Sequence, residues 1–180
     1  MRLIPSNSPE ILTKVLIAYA TRFGSTREIA TAIAHELNRI GLNAVAAETT
    51  DGIKPTDYDA LVIGSPMYGN NWLPAAGLYA AINSEQLSGR PVALFSVGTL
   101  GVKSRKAAIS EHKTFIEQLK QVAPKLNVVS DEAFNGYFER ANLPWYLRLV
   151  DRLAPTPEGD HRNWTAIQAW ARSLGNELRH

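Results

Sequence analysis

Apolar residues fall along this 180-residue chain in two alternating rhythms. KVLIAYA, at 14–20, is apolar on successive positions, the pattern of a parallel strand covered on both faces. From residue 25 to about 40, Ile29, Ile33, Leu37 and Ile40 recur at helical spacing, and Gly41 stops the run. A weaker strand, NAVAAE, follows at 43–48. DALVIGS, at 59–65, reads as another buried strand, expected to break at Pro66. Residues 74–83 read as a helix starting on proline, PVALFSVG at 91–98 as a fourth strand, and 106–122 as a helix. Residues 127–136 contain a fifth strand, and 164–178 form a closing helix with Ile167, Trp170, Ala171 and Leu174 on one side. Strands alternating with helices predict an α/β fold, a parallel sheet wrapped on both faces in three layers. Five strands in this length predict the doubly wound order 2-1-3-4-5. Ligands then bind beyond the carboxyl ends of the strands, near the switch between the first and third. Loops at 21–26, 66–73 and 99–105 all follow such ends and are expected to share one crevice.

The first of these loops sits in YATRFGSTREIA, at 19–30. A helix N-terminus offers unpaired N–H groups and a positive dipole end, which suits a phosphate. Thr21, Ser25 and Thr26 add hydroxyls, Gly24 lets the backbone close round an anion, and Arg22 adds a countercharge. The competing reading makes Ser25 a helix cap, with Glu28 completing an S-x-x-E capping box. That explains one hydroxyl and leaves Thr21, Gly24 and Thr26 without a reason. A Walker loop and a dinucleotide loop are both excluded, since neither the lysine of the first nor the G-x-G-x-x-G of the second is present. A phosphoacceptor domain of this strand order needs aspartates where Thr21 and Ser65 stand. A mononucleotide phosphate is left.

The second loop, SPMYGNNWLP at 65–74, carries Tyr68 and Trp72 among Gly69, Asn70 and Asn71. Exposed aromatics there suit a flat conjugated ring, and glycine and backbone amides suit its polar edge. The competing reading folds both aromatics back into the core. The third loop, SVGTLGVKSRK, has glycines but no aromatic. With no cysteine and four scattered histidines, disulfides, thiolate catalysis and a structural metal are not expected. A net charge of +2 is too small to argue for nucleic acid. No signal sequence and no apolar run of membrane-spanning length are visible, so a cytoplasmic location is expected.

Together these residues resemble the flavodoxin family, and more closely its menaquinone-dependent protoporphyrinogen-oxidase branch. The similarity lies in T-R-x-G-x-T-R-E-I-A at 21–30, where ordinary flavodoxins tend to have T-x-T-G-x-T, and in an IG(S/A)xxYG second loop. YFERANLPWYLRLVDRL and PEGDHRNWTAIQAWA resemble that branch's late insertion and final helix. The resemblance implies a single flavodoxin-like domain over 1–180, with a short extension at 1–13 and an insertion at 137–163. It implies FMN, with Thr21, Arg22, Phe23, Gly24, Ser25 and Thr26 at the phosphate. At the ring it implies Ser65, Pro66, Met67, Tyr68, Gly69, Asn70, Asn71 and Trp72, together with Gly98, Thr99, Leu100 and Gly101. The third loop and the helix after it match the branch poorly.

Flavin chemistry needs no protein nucleophile, and no catalytic side chain is assigned. Electron-carrier flavodoxins are typically strongly acidic, whereas Lys103, Arg105 and Lys106 follow the fourth strand here. That cluster would receive an anionic substrate, such as a porphyrinogen's propionates, or an acidic redox partner. The competing reading is a solvated helix start. In the insertion, Leu143, Leu147 and Val150 share one helical side, widened by Trp145, Tyr146, Leu149 and Leu153. Arg140, Arg148 and Arg152 line another. Arg140, Trp145 and Arg148 are candidates to meet a quinone, a porphyrinogen or, through 143–153, a membrane surface. Otherwise the segment packs over its own domain. The expected function is an FMN-dependent oxidoreductase of the protoporphyrinogen-oxidase, quinone-linked type. The alternatives are an electron carrier between proteins and, third, an FMN binder without turnover.

Overall fold

Each central strand feeds two cores. In β1 (Lys14–Tyr19), Val15, Ile17 and Tyr19 face one cluster and Leu16 and Ala18 the other, because successive side chains point to opposite sides of a sheet. β3 (Ala60–Tyr68) and β5 (Pro91–Gly98) divide in the same way, Val62 and Phe95 against Leu61, Ile63 and Leu94. The computed structural model describes residues 12–68, 70–98, 105–153 and 158–179, and within these only the backbone of Arg105, Ala107, Leu147 and Val150.

With β2 (Asn43–Glu48) and β6 (Asn127–Asn135), these strands form a parallel sheet in the order β2-β1-β3-β5-β6. Counted over the five parallel strands, this is the expected 2-1-3-4-5. On one face lie α1 (Ser25–Arg39) and α5 (Trp164–Glu177), contributing Ile29, Ile33, Leu37, Ile167 and Leu174. The other face is covered by α2 (Pro74–Asn83) and α3 (Arg105–Val122), through Ala76, Ala80, Ile116 and Leu119. Glu36 of α1 ties the first pair of helices together, meeting Arg39 at 2.7 Å and Arg172 of α5 at 2.8 Å.

One boundary differs from the expectation. The third strand does not break at Pro66 but runs to Tyr68, and β4 (Asn71–Trp72) then folds back antiparallel on it. The Gly64 carbonyl faces β1, accepting from Ala20 N at 2.9 Å. Alternation turns Ser65 toward β5 and Pro66 back to the β1 side, past the point where β1 ends at Tyr19. The missing proline N–H therefore costs the ladder no bond.

After β6 come β7 (Tyr137–Phe138), a short helical turn at Arg140–Asn142, α4 (Trp145–Asp151) and β8 (Gly159–Asp160). β7 and β8 pair antiparallel, Tyr137 opposite Asp160.

Candidate cofactor site

The loop between β1 and α1 is shaped by Gly24. Its φ of 89° is left-handed, and a Cβ there would meet no neighbour but would strain the backbone. Thr21 Oγ1 accepts from Gly24 N at 3.0 Å and closes the turn. Ser25 and Thr26 become the first residues of α1, beside its unpaired N–H groups. The capping box does not form. Ser25 Oγ instead accepts from Tyr137 N at 3.1 Å, and Glu28 pairs with Arg162 at 2.6 Å.

Above this loop opens a cleft of about 590 Å³, open solvent at its mouth included. Thr21, Ser25 and Thr26 line one end. Pro66, Met67 and Tyr68 come from β3, Val97 and Gly98 from β5, and Gly136, Tyr137, Phe138 and Leu143 from beyond β6. Gly136 seals the floor. Its N–H donates to Gly98 O at 2.8 Å, and a Cβ would lie 3.0 Å from Val97 Cγ1 and 3.2 Å from Ser25 Oγ. Phe23, Tyr68 and Tyr137 are each about 40% exposed at the rim. Arg22 spans two of these aromatics, its guanidinium carbon 5.4 Å from the Phe23 ring centre and 5.9 Å from that of Tyr68. Among the described residues it is the one charged side chain lining the cleft. Burial lifts the Tyr68 hydroxyl above its ordinary range, with the Arg22 charge opposing.

The β7–β8 hairpin is fastened over α1 by Arg162. Its guanidinium meets Asp160 at 2.7 Å and Glu28 at 2.6 Å and lies 4.5 Å from the Trp164 ring centre. These hydrogen bonds hold the Asp160 carboxyl down to about 2. The hairpin thus brings Tyr137 against a serine 112 residues earlier.

Several expected site residues stand elsewhere. Trp72 does not face the cleft: it is 5% exposed, stacks on Phe115 at 4.7 Å and donates to Ser96 Oγ at 2.7 Å. The apolar space under α3 takes the larger ring, leaving Tyr68 at the cleft. Ser65 is fully buried and occupied, donating to Pro66 O and accepting from Leu73 N at 2.9 Å. Asn70 and Asn71 are exposed and do not line the cleft. Arg140 and Arg148 are both engaged within the insertion and do not line the cleft. Arg140 is engaged by buried Asp151 and by Glu158, and Arg148 donates to the carbonyls of Ala141 at 2.6 Å and Leu143 at 2.9 Å. Trp145 is 74% exposed, and Lys106 is exposed. Gly69, Thr99, Leu100, Gly101 and Lys103, and the Arg105 side chain, lie outside the described residues.

Sequence reasoning missed Val97, Gly136, Tyr137, Phe138 and Leu143. The signal was present, since Gly136 follows the carboxyl end of the fifth parallel strand as the other loops follow theirs.

The family described as Flavodoxin domain matches residues 16–150. The chain belongs to that family. FMN is accordingly its cofactor. Over 95 residues it is 33% identical to the protoporphyrinogen IX dehydrogenase [quinone] of Escherichia coli K12, a match covering 52% of each chain. An equal match is found in Escherichia coli O157:H7. The chain spans about half the length of the curated relatives it matches. Among solved structures, a cysteine-to-serine mutant of flavodoxin from Pseudomonas aeruginosa is similar with TM-score 0.60 and 18% identity, over 93% of this chain and 99% of that one. Oxidised flavodoxin 2 from Bacillus cereus is similar with TM-score 0.59 and 22% identity, over 91% and 99%. These two likenesses are of fold.

The chemistry of the cleft fits FMN. One end offers hydroxyls and a helix N-terminus to a dianion, and the other offers aromatic and apolar walls to a flat ring.

Proposed function

We propose that this flavodoxin-family protein is an FMN-dependent oxidoreductase that takes electrons from a flat, apolar, anionic donor such as a porphyrinogen and delivers them to a quinone. The observation that carries this reading is the character of the cleft mouth: three half-exposed aromatics, one cation and no carboxylate among the described lining residues. Such a rim suits an apolar ring with acidic side groups better than the charged face of a protein partner. The likeness to protoporphyrinogen IX dehydrogenase [quinone] supports it.

In this reading Thr21, Ser25 and Thr26, with the N–H groups of α1, hold the phosphate. Met67, Tyr68, Gly98 and Tyr137 would enclose the ring, with Arg22 beside Phe23 and Tyr68 at the rim. Bound FMN supplies the redox chemistry, so the chain need only bind, orient and exclude water. Arg22, with Lys103, Arg105 and Lys106, would meet the donor's carboxylates. Leu143 leads from the cleft toward α4 and the turn after it, where Trp145, Tyr146, Leu149 and Leu153 are half or more exposed. That face would touch the lipid surface from which a quinone arrives. Among the described residues no helix is long and apolar enough to cross a membrane.

The second reading is an electron carrier, favoured by the likeness to flavodoxins over nearly the whole chain. Anaerobic incubation of the FMN-loaded protein with protoporphyrinogen and a menaquinone analogue separates the two. The enzyme produces fluorescent porphyrin and quinol catalytically. A carrier leaves both unchanged, yet is reduced by a flavodoxin reductase.

A further inference from the structure

Trp72 of β4, Ser96 of β5, His112 of α3 and Asp131 of β6 form one unbroken hydrogen-bonded chain. Trp72 Nε1 donates to Ser96 Oγ at 2.7 Å, Ser96 Oγ lies 2.7 Å from His112 Nδ1, and His112 Nε2 lies 3.0 Å from Asp131 Oδ2. Trp72, Ser96 and His112 are 5%, 3% and 2% exposed. An indole N–H only donates, so the Ser96 oxygen accepts there and its hydroxyl proton points to Nδ1. Nε2 then carries the imidazole hydrogen and gives it to Asp131. One tautomer satisfies every member.

This chain ends on the hairpin that walls the cleft. Ser65 and Ser96 are neighbours across β3 and β5, and together they grip the returning limb: Ser65 takes Leu73 N, and Ser96 takes the Trp72 indole. Trp72 pairs with Met67, and Asn71 with Tyr68. Met67 and Tyr68 line the cleft.

We propose that His112 is a positioning residue for the flavin ring, holding the β3–β4 hairpin in place through Ser96 and Trp72, so that its protonation weakens ring binding. The proposal rests on the FMN reading of the cleft. Asp131 and Glu132 of β6 and Lys113 of its own helix are the charged groups that act on His112; β4 and β5 offer it no charge. Burial favours the neutral ring and outweighs the two carboxylates, so its pKa lies below the ordinary value. Once protonated, the imidazole donates from both nitrogens. Ser96 then faces N–H groups on two sides, and its own proton loses its acceptor in a buried site. Its two lone pairs can take both N–H groups, so the stranded hydroxyl proton is what disfavours the arrangement, and turning the hydroxyl to release it loosens the tie to Trp72.

Riboflavin tests this, because it carries the ring without the phosphate, which itself titrates near neutrality. Quenching titrations of the apoprotein from pH 8 downward, as far as the fold persists, should show affinity falling by up to about tenfold as the imidazole takes up its proton, the factor one ordinary hydrogen bond is worth. Trp72→Phe keeps the stack on Phe115 but loses the N–H. It should bind about tenfold more weakly at pH 8, with a nearly flat profile. Asp131→Asn removes a carboxylate that favours imidazolium, so the acid loss should move to lower pH. A merely structural role would lower the melting temperature of both variants and leave the shape and midpoint of the riboflavin profile as in the wild type. That result overturns the proposal, as does a flat profile in the wild type with flavin bound. Failure of the wild type to bind FMN at pH 8 overturns the cofactor reading and this proposal with it.

Discussion

Arg22 illustrates what one residue contributes to this cleft. A guanidinium in a lining that has no carboxylate among the described residues favours negative charge on whatever the cleft holds. Replacing Arg22 with Gln should therefore lower the reduction potential of bound FMN. A loss of about 1 kcal/mol of favourable interaction corresponds to roughly 20 mV in a two-electron couple. Spectroelectrochemical titration reads this directly. An unchanged potential with weakened FMN binding would assign Arg22 to the phosphate alone. Ser25 and Thr26 carry a separate expectation. Ser25→Ala and Thr26→Val should each weaken FMN by about 1.5–3 kcal/mol, the worth of a hydrogen bond to a charged group. In Thr26→Val riboflavin affinity should barely move, whereas Ser25→Ala also loses the bond from Tyr137 N and should weaken riboflavin as well; calorimetric titration of both ligands distinguishes a phosphate contact from general damage to the loop.

At the scale of elements, the β7–β8 hairpin acts as a clasp. The Arg162 side chain is 8% exposed and held between Glu28 and Asp160, so the hairpin and the start of α1 are joined by charge as well as by the Tyr137–Ser25 bond. Arg162→Gln should destabilise the fold by about 1–3 kcal/mol, between the cost of an exposed and a buried broken pair. For a chain of this size that is a fall of roughly 2–12 °C in melting temperature. FMN affinity should fall with it, since Tyr137 lines the cleft. Thermal scans with and without FMN check both. A variant that melts lower but binds FMN normally would show that the clasp supports the fold and not the site.

For the whole molecule, acid should act in two stages. Burial depresses His112, so the stability tied to its neutral form is complete above its unfolded value near 6.5 and is lost as pH falls through the folded value. Glu36 is held down to about 2 by Arg39 and Arg172, and Asp160 to about 2 by Arg162. Their contributions are complete above their ordinary values of 4.5 and 3.8 and disappear as pH falls toward 2. Chemical denaturation from pH 8 to pH 2 should show an early decline below about 6.5 and a steeper one below about 4.5. In Glu36→Gln the protein should be less stable at pH 7, and its curve should converge with the wild type as pH approaches 2.

Local pattern alone determined the five parallel strands of the sheet, their order, and a loop of glycine and hydroxyls at the start of α1. Burial on both faces forces continuous apolar runs, and a helix start needs its glycine and hydroxyls within six residues of one another. Those are short-range demands, and they are written in neighbouring positions. Only the tertiary structure decided which aromatic meets the cleft. Tyr68 and Trp72 look alike in a loop, and the choice depended on the space under α3 and on a hydroxyl at Ser96. It also decided that Tyr137 would join Ser25, and that Arg140 and Arg148 would be used inside the insertion. Pairings over such separations follow from where the sheet's topology brings each strand end. A contact that exists only after the fold has closed leaves no periodicity in the chain to read.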